Sequence, residues 1–317
     1  RYLGECMQAK ENYATLFDQY IDAVVINKAQ QYSRWTIPSL TAKSTLGANA
    51  QTLEGDYQSE GATLVNSLAS KFTTLLFPTT HAFMGFDLNK EILEQLGADP
   101  KELDESLATT VLKASQRIFQ GKSYHQLNMA LKHLIVTGNV CVKRDEERAS
   151  ITAYGIERYV TKRDGDGRVI DAIIKEQVYY NALPDDIKNI LGRDKTTYTR
   201  STQPLDMYTR IKRLDIKSYQ DIPMFETSVQ IDGVDLGSEF EGLYTEHRLP
   251  YIFATWNLVS GENYGRSHIE DYAGGLAKIS ALSESLALYG VESLHVTNQV
   301  GSASAGGASL QHLNLEQ

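Results

Sequence analysis

Residues Trp256 to Leu294 read WNLVSGENYGRSHIEDYAGGLAKISALSESLALYGVESL, and this stretch restricts the fold more than any other. A loop from Ser260 to Arg266 leads into a long helix. Ser267 is suited to the N-cap, and Glu270 three residues later completes an S-x-x-E capping box. Glu270 and Asp271 place negative charge at the positive end of the helix. Ile269, Tyr272, Leu276, Ile279, Leu282, Leu286 and Tyr289 recur every three or four residues, which makes one apolar stripe. No proline interrupts Ser267 to Leu294, and the segment would span about 40 Å. Two features are unusual. Gly274-Gly275 sits inside the run, where each glycine costs about 1 kcal/mol relative to alanine. Small residues crowd the rest: Ala273, Ala277, Ser280, Ala281, Ser283, Ser285 and Ala287. Spacing alone fits a core helix of a globular domain. The small residues fit instead a helix packed closely against copies of itself, with Ala273, Ala277, Ser280 and Ala281 at the contact.

The chain has 317 residues, enough for one large domain or two smaller ones, and 22% of them are charged. Its net charge of −9 argues against a surface built to grip phosphates, because nucleic-acid affinity comes mainly from Lys and Arg. Such a chain can still handle DNA by repelling it. Cys6 and Cys141 show neither metal-ligand nor redox spacing. No apolar run approaches the length of a membrane span. The first residue is Arg1 rather than Met, which leaves room for a removed leader, and no signal-like segment is in view.

Taken in order, Glu5 to Gln31 reads as one amphipathic helix with Tyr13, Leu16, Phe17, Tyr20, Ile21, Val24 and Val25 on one face. Thr41 to Glu60 reads as a long polar loop. Ala62 to Phe77 reads as a helix with Leu64, Val65, Leu68, Phe72, Leu75 and Leu76 inward. A short strand is expected over Ala82 to Leu88, then helices over Glu102 to Phe119 and Tyr124 to Thr137. Gly138-Asn139 turns the chain into a strand from Val140 to Arg144. The middle of the chain, Ile151 to Gln220, is mostly strand and turn. A hairpin is signalled by Asp164-Gly165-Asp166-Gly167 between Tyr159–Lys162 and Val169–Lys175. A short helix ends at Leu191, and strands follow at Met207–Leu214, Phe225–Ile231 and Tyr251–Val259, with a turn at Asp232-Gly233. Gly301 to Ser309 is too poor in apolar side chains to pack a core. The fold class is α+β.

Candidate chemistry is sparse. Asp164 and Asp166 open like a calcium loop, but Lys175 stands at the twelfth position where the bidentate Glu belongs, so a plain hairpin is the better reading. His125 and His133 are eight residues apart on one helix, which suits no shared metal. No nucleophile elbow, P-loop, dinucleotide-binding or zincin motif occurs. Arg193, Lys195, Arg200, Arg210, Lys212, Arg213 and Lys217 form a basic region that reads as a solvated sheet edge, with contact to DNA or an acidic partner as the alternative. A hydrolase reading keeps only the general point that catalytic groups can be distant in sequence.

Six segments carry a resemblance. They are WTIPSL (Trp35 to Leu40), NSLASKFTTLLFP (Asn66 to Pro78), ALKHLIVTGNVCV (Ala130 to Val142), YVTKRDGDGRVI (Tyr159 to Ile170), ALPDDI (Ala182 to Ile187) and LPYIFATWNLVSGENYGRSHIEDY (Leu249 to Tyr272). In order and spacing they resemble the head-to-tail connector, or portal, proteins of short-tailed bacteriophages, over most of the chain from Trp35 to Tyr289. The resemblance implies a ring, usually of twelve copies, at one capsid vertex, through which double-stranded DNA is packaged and ejected. Residues 1–259 would be the wing, helical to 137 and strand-rich from 138. Residues 260–294 would be the first stem helix with its lead-in loop, and 295–317 the clip segment. A second stem helix, channel loop and crown are expected in the family but do not occur before Gln317, and a join near Gly301 to Ser309 is one explanation.

The same resemblance implies partners: further copies of the chain, the terminase large subunit, the tail adaptor, major capsid and scaffolding proteins, and internal core proteins. It places the protein in the virion at the portal vertex, and in host cytoplasm during assembly. It implies no catalysis, cofactor, metal or membrane; ATP hydrolysis belongs to the terminase motor. Channel-lining candidates are Glu284, Glu292 and Lys278, and clip contacts to adaptor or terminase are His295, Thr297, Asn298 and Gln299. The competing structural reading is a capsid-associated connector or adaptor that does not line the channel.

Overall fold

The computed structural model describes residues 11–42, 46, 54–78, 82, 100–119, 122–146, 148, 150–192, 204–214 and 222–305. The strand expected over Ala82 to Leu88, Ala82 apart, and half of the Thr41–Glu60 loop lie outside these residues. The described helices are α1 (Tyr13–Tyr20), α2 (Ala23–Trp35), α3 (Glu60–Leu76), α4 (Pro100–Phe119), α5 (Ser123–Thr137), α6 (Asp185–Leu191) and α7 (Ala273–Ala305). The strands are β1 (Asn139–Asp145), β2 (Ser150–Tyr154), β3 (Tyr159–Arg163), β4 (Val169–Val178), β5 (Leu205–Arg213), β6 (Met224–Ile231), β7 (Val234–Asp235), β8 (Gly242–Thr245) and β9 (Tyr251–Thr255). This is the expected α+β arrangement.

The amphipathic run at the start is two helices rather than one. Ile21 is extended, and the Asp22 carboxylate accepts from the backbone N–H groups of Val24 and Val25, so it caps a fresh helix. The break lets one apolar run serve two cores. Tyr13 and Phe17 pack on β3, β4 and β5 through Val160, Ile173 and Tyr208. Ala29, partly covered by Val25, packs with Ile156 and Tyr264. In α3 the buried face is Val65, Ala69 and Thr73, whereas Leu64, Leu75 and Leu76 are exposed. The expectation that those three leucines face inward fails because α5 contacts the small-residue side of α3, where Asn128 donates to Thr73 Oγ1 at 2.9 Å.

Two antiparallel sheets follow. One has the order β2-β1-β9; the other runs β3-β4-β5-β6-β7, with β8 also on β6. Side chains of Cys141, Tyr154, Tyr159, Ile174, Ile211 and Phe225 fill the space between them. Alternation then sends Ile173 to α1 on the far side and Ile174 to the inter-sheet core. The hairpin at Asp164 forms as expected. Its carboxylate accepts from the N–H of Asp166 (3.1 Å) and Arg168 (2.8 Å), and Gly167 takes φ +83°. Asp232 and Gly233 both have positive φ, the backbone of a two-residue turn joining β6 to β7.

Two cations of the basic region, Arg210 and Arg213, do not lie on a solvated edge, whereas Lys212 between them is exposed. β5 lies between β4 and β6. Arg210 on it is buried and gives two hydrogen bonds to Asp171, at 3.1 and 2.7 Å, with Glu11 as a further partner. Arg213 is bonded to Asp164 at 3.0 Å. These two cations are spent inside the fold, which removes them from any phosphate-binding surface. Arg193, Lys195, Arg200 and Lys217 lie outside the described residues.

Candidate functional site

The long helix stands on a seat made by α2, α5 and the turn into β1. α5 ends at Gly138, whose φ of +75° closes the helix in the left-handed conformation. A side chain there would also meet backbone: an added Cβ would lie 2.5 Å from the Arg266 carbonyl carbon. The next residue, Asn139, is fully buried and uses its amide on the lead-in loop. It donates to Gly265 O at 2.7 Å and accepts from Gly265 N–H at 2.7 Å. Arg163 holds the same loop from the hairpin side. It bonds the Asn263 backbone carbonyl and side chain, the Gly167 carbonyl and the Phe253 carbonyl. Tyr264 is buried under the loop and accepts from Thr161 N–H, with its hydroxyl pushed up to about 12 by burial. Apart from the Arg163–Gly167 bond within the hairpin, these contacts join segments 90 to 126 residues apart, so spacing carried no signal for Arg163 or Asn139.

Helix entry matches half of the capping box. Glu270 N–H donates to Ser267 Oγ at 3.0 Å, but the Glu270 carboxylate turns to Lys28 Nζ at 3.1 Å instead of returning to Ser267. That hydrogen bond raises the Lys28 pKa. The first turn, Ile269–Tyr272, is a 3-10 turn, and the α-helix proper begins at Ala273. An open cleft of about 380 Å³ lies beside this entry, lined by Asp22, Lys28, Tyr32, Glu262, Arg266 and Glu270 among others. Its charges are mutually paired, Lys28 with Glu270 and Arg266 with Glu262.

Among the described residues, the foot of α7 is the part that packs on the body. Ile269 and Leu276 join the helical core with Tyr32, Val65 and Ile135, and Ala273 packs against it. Ser280 Oγ hydrogen bonds the Asp56 carboxylate. Ala273, Ala277 and Ser280 are therefore half-buried on the body side, and Ala281 alone of the four small contact candidates is exposed. Beyond this point the helix leaves the body. Leu282, Leu286 and Tyr289 are 65%, 71% and 70% exposed, and Ile279, Leu288 and Val291 are also open. At 100° per residue, Ile279, Leu282, Leu286 and Tyr289 fall within about 80° of arc, while Leu288 and Val291 lie roughly opposite them.

The charged candidates are all exposed: Lys278, Glu284 and Glu292. Lys278 and Glu292 lie within about 40° of each other on the side away from the body, with Ser285 between them. Glu284 lies about 80° round from Glu292, beside Leu288 and Val291, so the two acids do not share one narrow face. Ser285 Oγ bonds back to the Ala281 carbonyl at 2.8 Å. His295, Thr297, Asn298 and Gln299 fall on the same uninterrupted helix, which runs through Gly301 to Ala305. No proline occurs between Leu294 and Ala305, and the alanines and serines there leave the backbone hydrogen bonds unopposed. Among the described residues no group of three His, Cys, Asp or Glu could hold a metal, and no helix is long and apolar enough to cross a membrane.

A sheet-braced body carrying a projecting helix with apolar sides is the form of a subunit made to assemble. Residues 11–316 match the family model of the bacteriophage head to tail connecting protein, and the chain belongs to that family. Its relatives are portal proteins. That of Pseudomonas phage phiKMV is 37% identical over 297 residues, covering 93% of this chain and 57% of that protein. Those of Escherichia phage T7 and Enterobacteria phage T3 are 31% and 30% identical, over 82% and 87% of this chain. The chain spans about half the length of these curated relatives. The family is structural, and its members serve as connectors in the phage particle.

Proposed function

We propose that this chain is the wing and first stem helix of a portal subunit. Copies of it close into a ring, of twelve by analogy with the family, at one vertex of the capsid. Genomic double-stranded DNA enters and leaves through the axial channel without sequence recognition. The ring docks the terminase large subunit during packaging and the tail adaptor afterwards, within a shell of capsid, scaffolding and internal core proteins. It assembles in the host cytoplasm and remains in the virion. It performs no catalysis of its own.

The observation that carries this reading is the pair of apolar strips on opposite sides of α7, both open among the described residues. A two-fold dimer needs one self-complementary face. A head-to-tail ring needs two different faces, one for each neighbour. With the strips turned to the neighbours and Leu276 turned to the body, the remaining side, with Lys278, Ser285 and Glu292, looks into the channel. Glu284 then lies between Leu288 and Val291 around the helix axis, within the inter-subunit contact rather than in the lumen. One acid and one base on that face give DNA no strong attraction, which suits sliding. The decisive measurement is the mass of full-length protein by native mass spectrometry. A closed ring of defined copy number is expected, and a monomer at packaging concentrations would refute the reading.

A further inference from the structure

Phe72, Trp256, His268 and Tyr272 form a row of rings at the foot of α7. Successive centroids are 6.1, 5.1 and 5.2 Å apart. Phe72 closes the inner end of the row. Trp256 and Tyr272 remain 38% and 58% exposed. Their backbones are fixed in advance. Trp256 N–H donates to Gly138 O at 2.9 Å, and Ile269, between His268 and Tyr272, is anchored in the helical core. Rings held in place this way lose little side-chain freedom when a partner covers them. Exposed Trp and Tyr on a rigid mount are also the residue types that dominate binding energy at protein interfaces.

The row does not suit a small molecule. Such ligands take concave sites, and the cleft beside the helix entry is lined by none of these four rings. A protein surface fits better, and the position indicates which one. Tyr272 lies within about 20° of Ile279 around the helix axis, so the aromatic row runs directly into the strip of Ile279, Leu282, Leu286 and Tyr289. We propose that Trp256, His268 and Tyr272 are the wing-end anchor of the contact between neighbouring copies, and that the adjacent copy of this chain covers them. The proposal rests on the ring reading given above.

Acrylamide quenching of tryptophan fluorescence in full-length protein tests it, with particle mass measured on the same samples. Subtracting the signal of W256F from wild type isolates Trp256 from Trp35. Quenching of Trp256 should fall several-fold between dilute subunits and assembled rings. Y272A should keep the melting temperature of the subunit and raise the concentration needed for assembly about tenfold. Full-mass rings in which Trp256 is quenched as readily as in subunits would overturn the anchor and leave the ring reading intact. Protein that never exceeds the mass of one subunit would overturn the ring reading, and the anchor with it.

Discussion

Removing the Glu157 carboxylate should make the stability of this protein strongly pH-dependent. His133 on α5 is 6% exposed, and Glu157 lies in the turn between β2 and β3. Both are aimed at Gly155, where an added Cβ would lie 2.6 Å from His133 Cε1 and 2.9 Å from Glu157 Oε2. His133 Nδ1 and Glu157 Oε1 are buried without a hydrogen-bond partner among the described residues. Burial, with Arg158 adding to it, lowers His133 from 6.5 to about 4, and burial raises Glu157 from 4.5 to about 7. The two act on stability with opposite signs. Between pH 4.5 and about 7 the folded chain keeps the Glu157 proton that the unfolded chain has lost, so stability falls by about 3 kcal/mol as pH rises. Between about pH 4 and 6.5 the folded chain lacks the His133 proton that the unfolded chain holds, so stability rises by about 3 kcal/mol. In wild type the slopes largely offset each other. E157Q leaves the rising slope alone, and H133Q leaves the falling one. Urea denaturation at several pH values, read as variant minus wild type, cancels every other group. Parallel curves for wild type and both variants would refute the reasoning.

The seat of the long helix and the latch on α1 give further tests. N139A leaves the Gly265 N–H and carbonyl unpaired in a buried place and should destabilise by about 2–3 kcal/mol, seen as a lower melting temperature. D171N removes the buried one of the two charge partners of Arg210, leaving Glu11, and should cost about 3 kcal/mol by chemical denaturation, with earlier proteolysis near Tyr20, whose hydroxyl also bonds Asp171. E292K should give rings that retain DNA in a salt-sensitive way, whereas E284K should lower ring yield with little DNA retention; filter binding across salt concentrations against ring yield separates the two.

Much of the fold was legible in the sequence because periodicity and turn chemistry are local. Asp164 to Gly167 and Asp232-Gly233 marked their turns through residue types that only those backbones favour. The long helix was legible from spacing and the absence of proline. What failed was non-local. Asp22 split an amphipathic run because its carboxylate found two N–H groups, and a periodic pattern does not show where a cap will win. The cluster of arginines looked solvated because a one-dimensional run does not reveal that Asp171 stands opposite Lys212 on the neighbouring strand, within reach of Arg210. Arg163 and Asn139 gave no signal, since the lead-in loop they hold lies a hundred or more residues along the chain.

The stripe on α7 shows why the candidate site was harder to read than the fold. A 3.6-residue apolar period states that a face leaves water; it does not state whether the covering atoms belong to the same molecule. Leu276 and Leu286 are equivalent in that pattern, yet one is 6% and the other 71% exposed. Leu276 lies in the helical core, whereas Leu286 lies past Ser280, which hydrogen bonds the Asp56 carboxylate. Small residues raise the same question. Ala273 and Ala277 allow close approach, but what approaches at Ala273 is this subunit's own helical core. For an assembling subunit the informative quantity is thus the mismatch between pattern and burial. Wherever the pattern calls for cover and the described residues supply none, the covering atoms belong to residues elsewhere in the assembly.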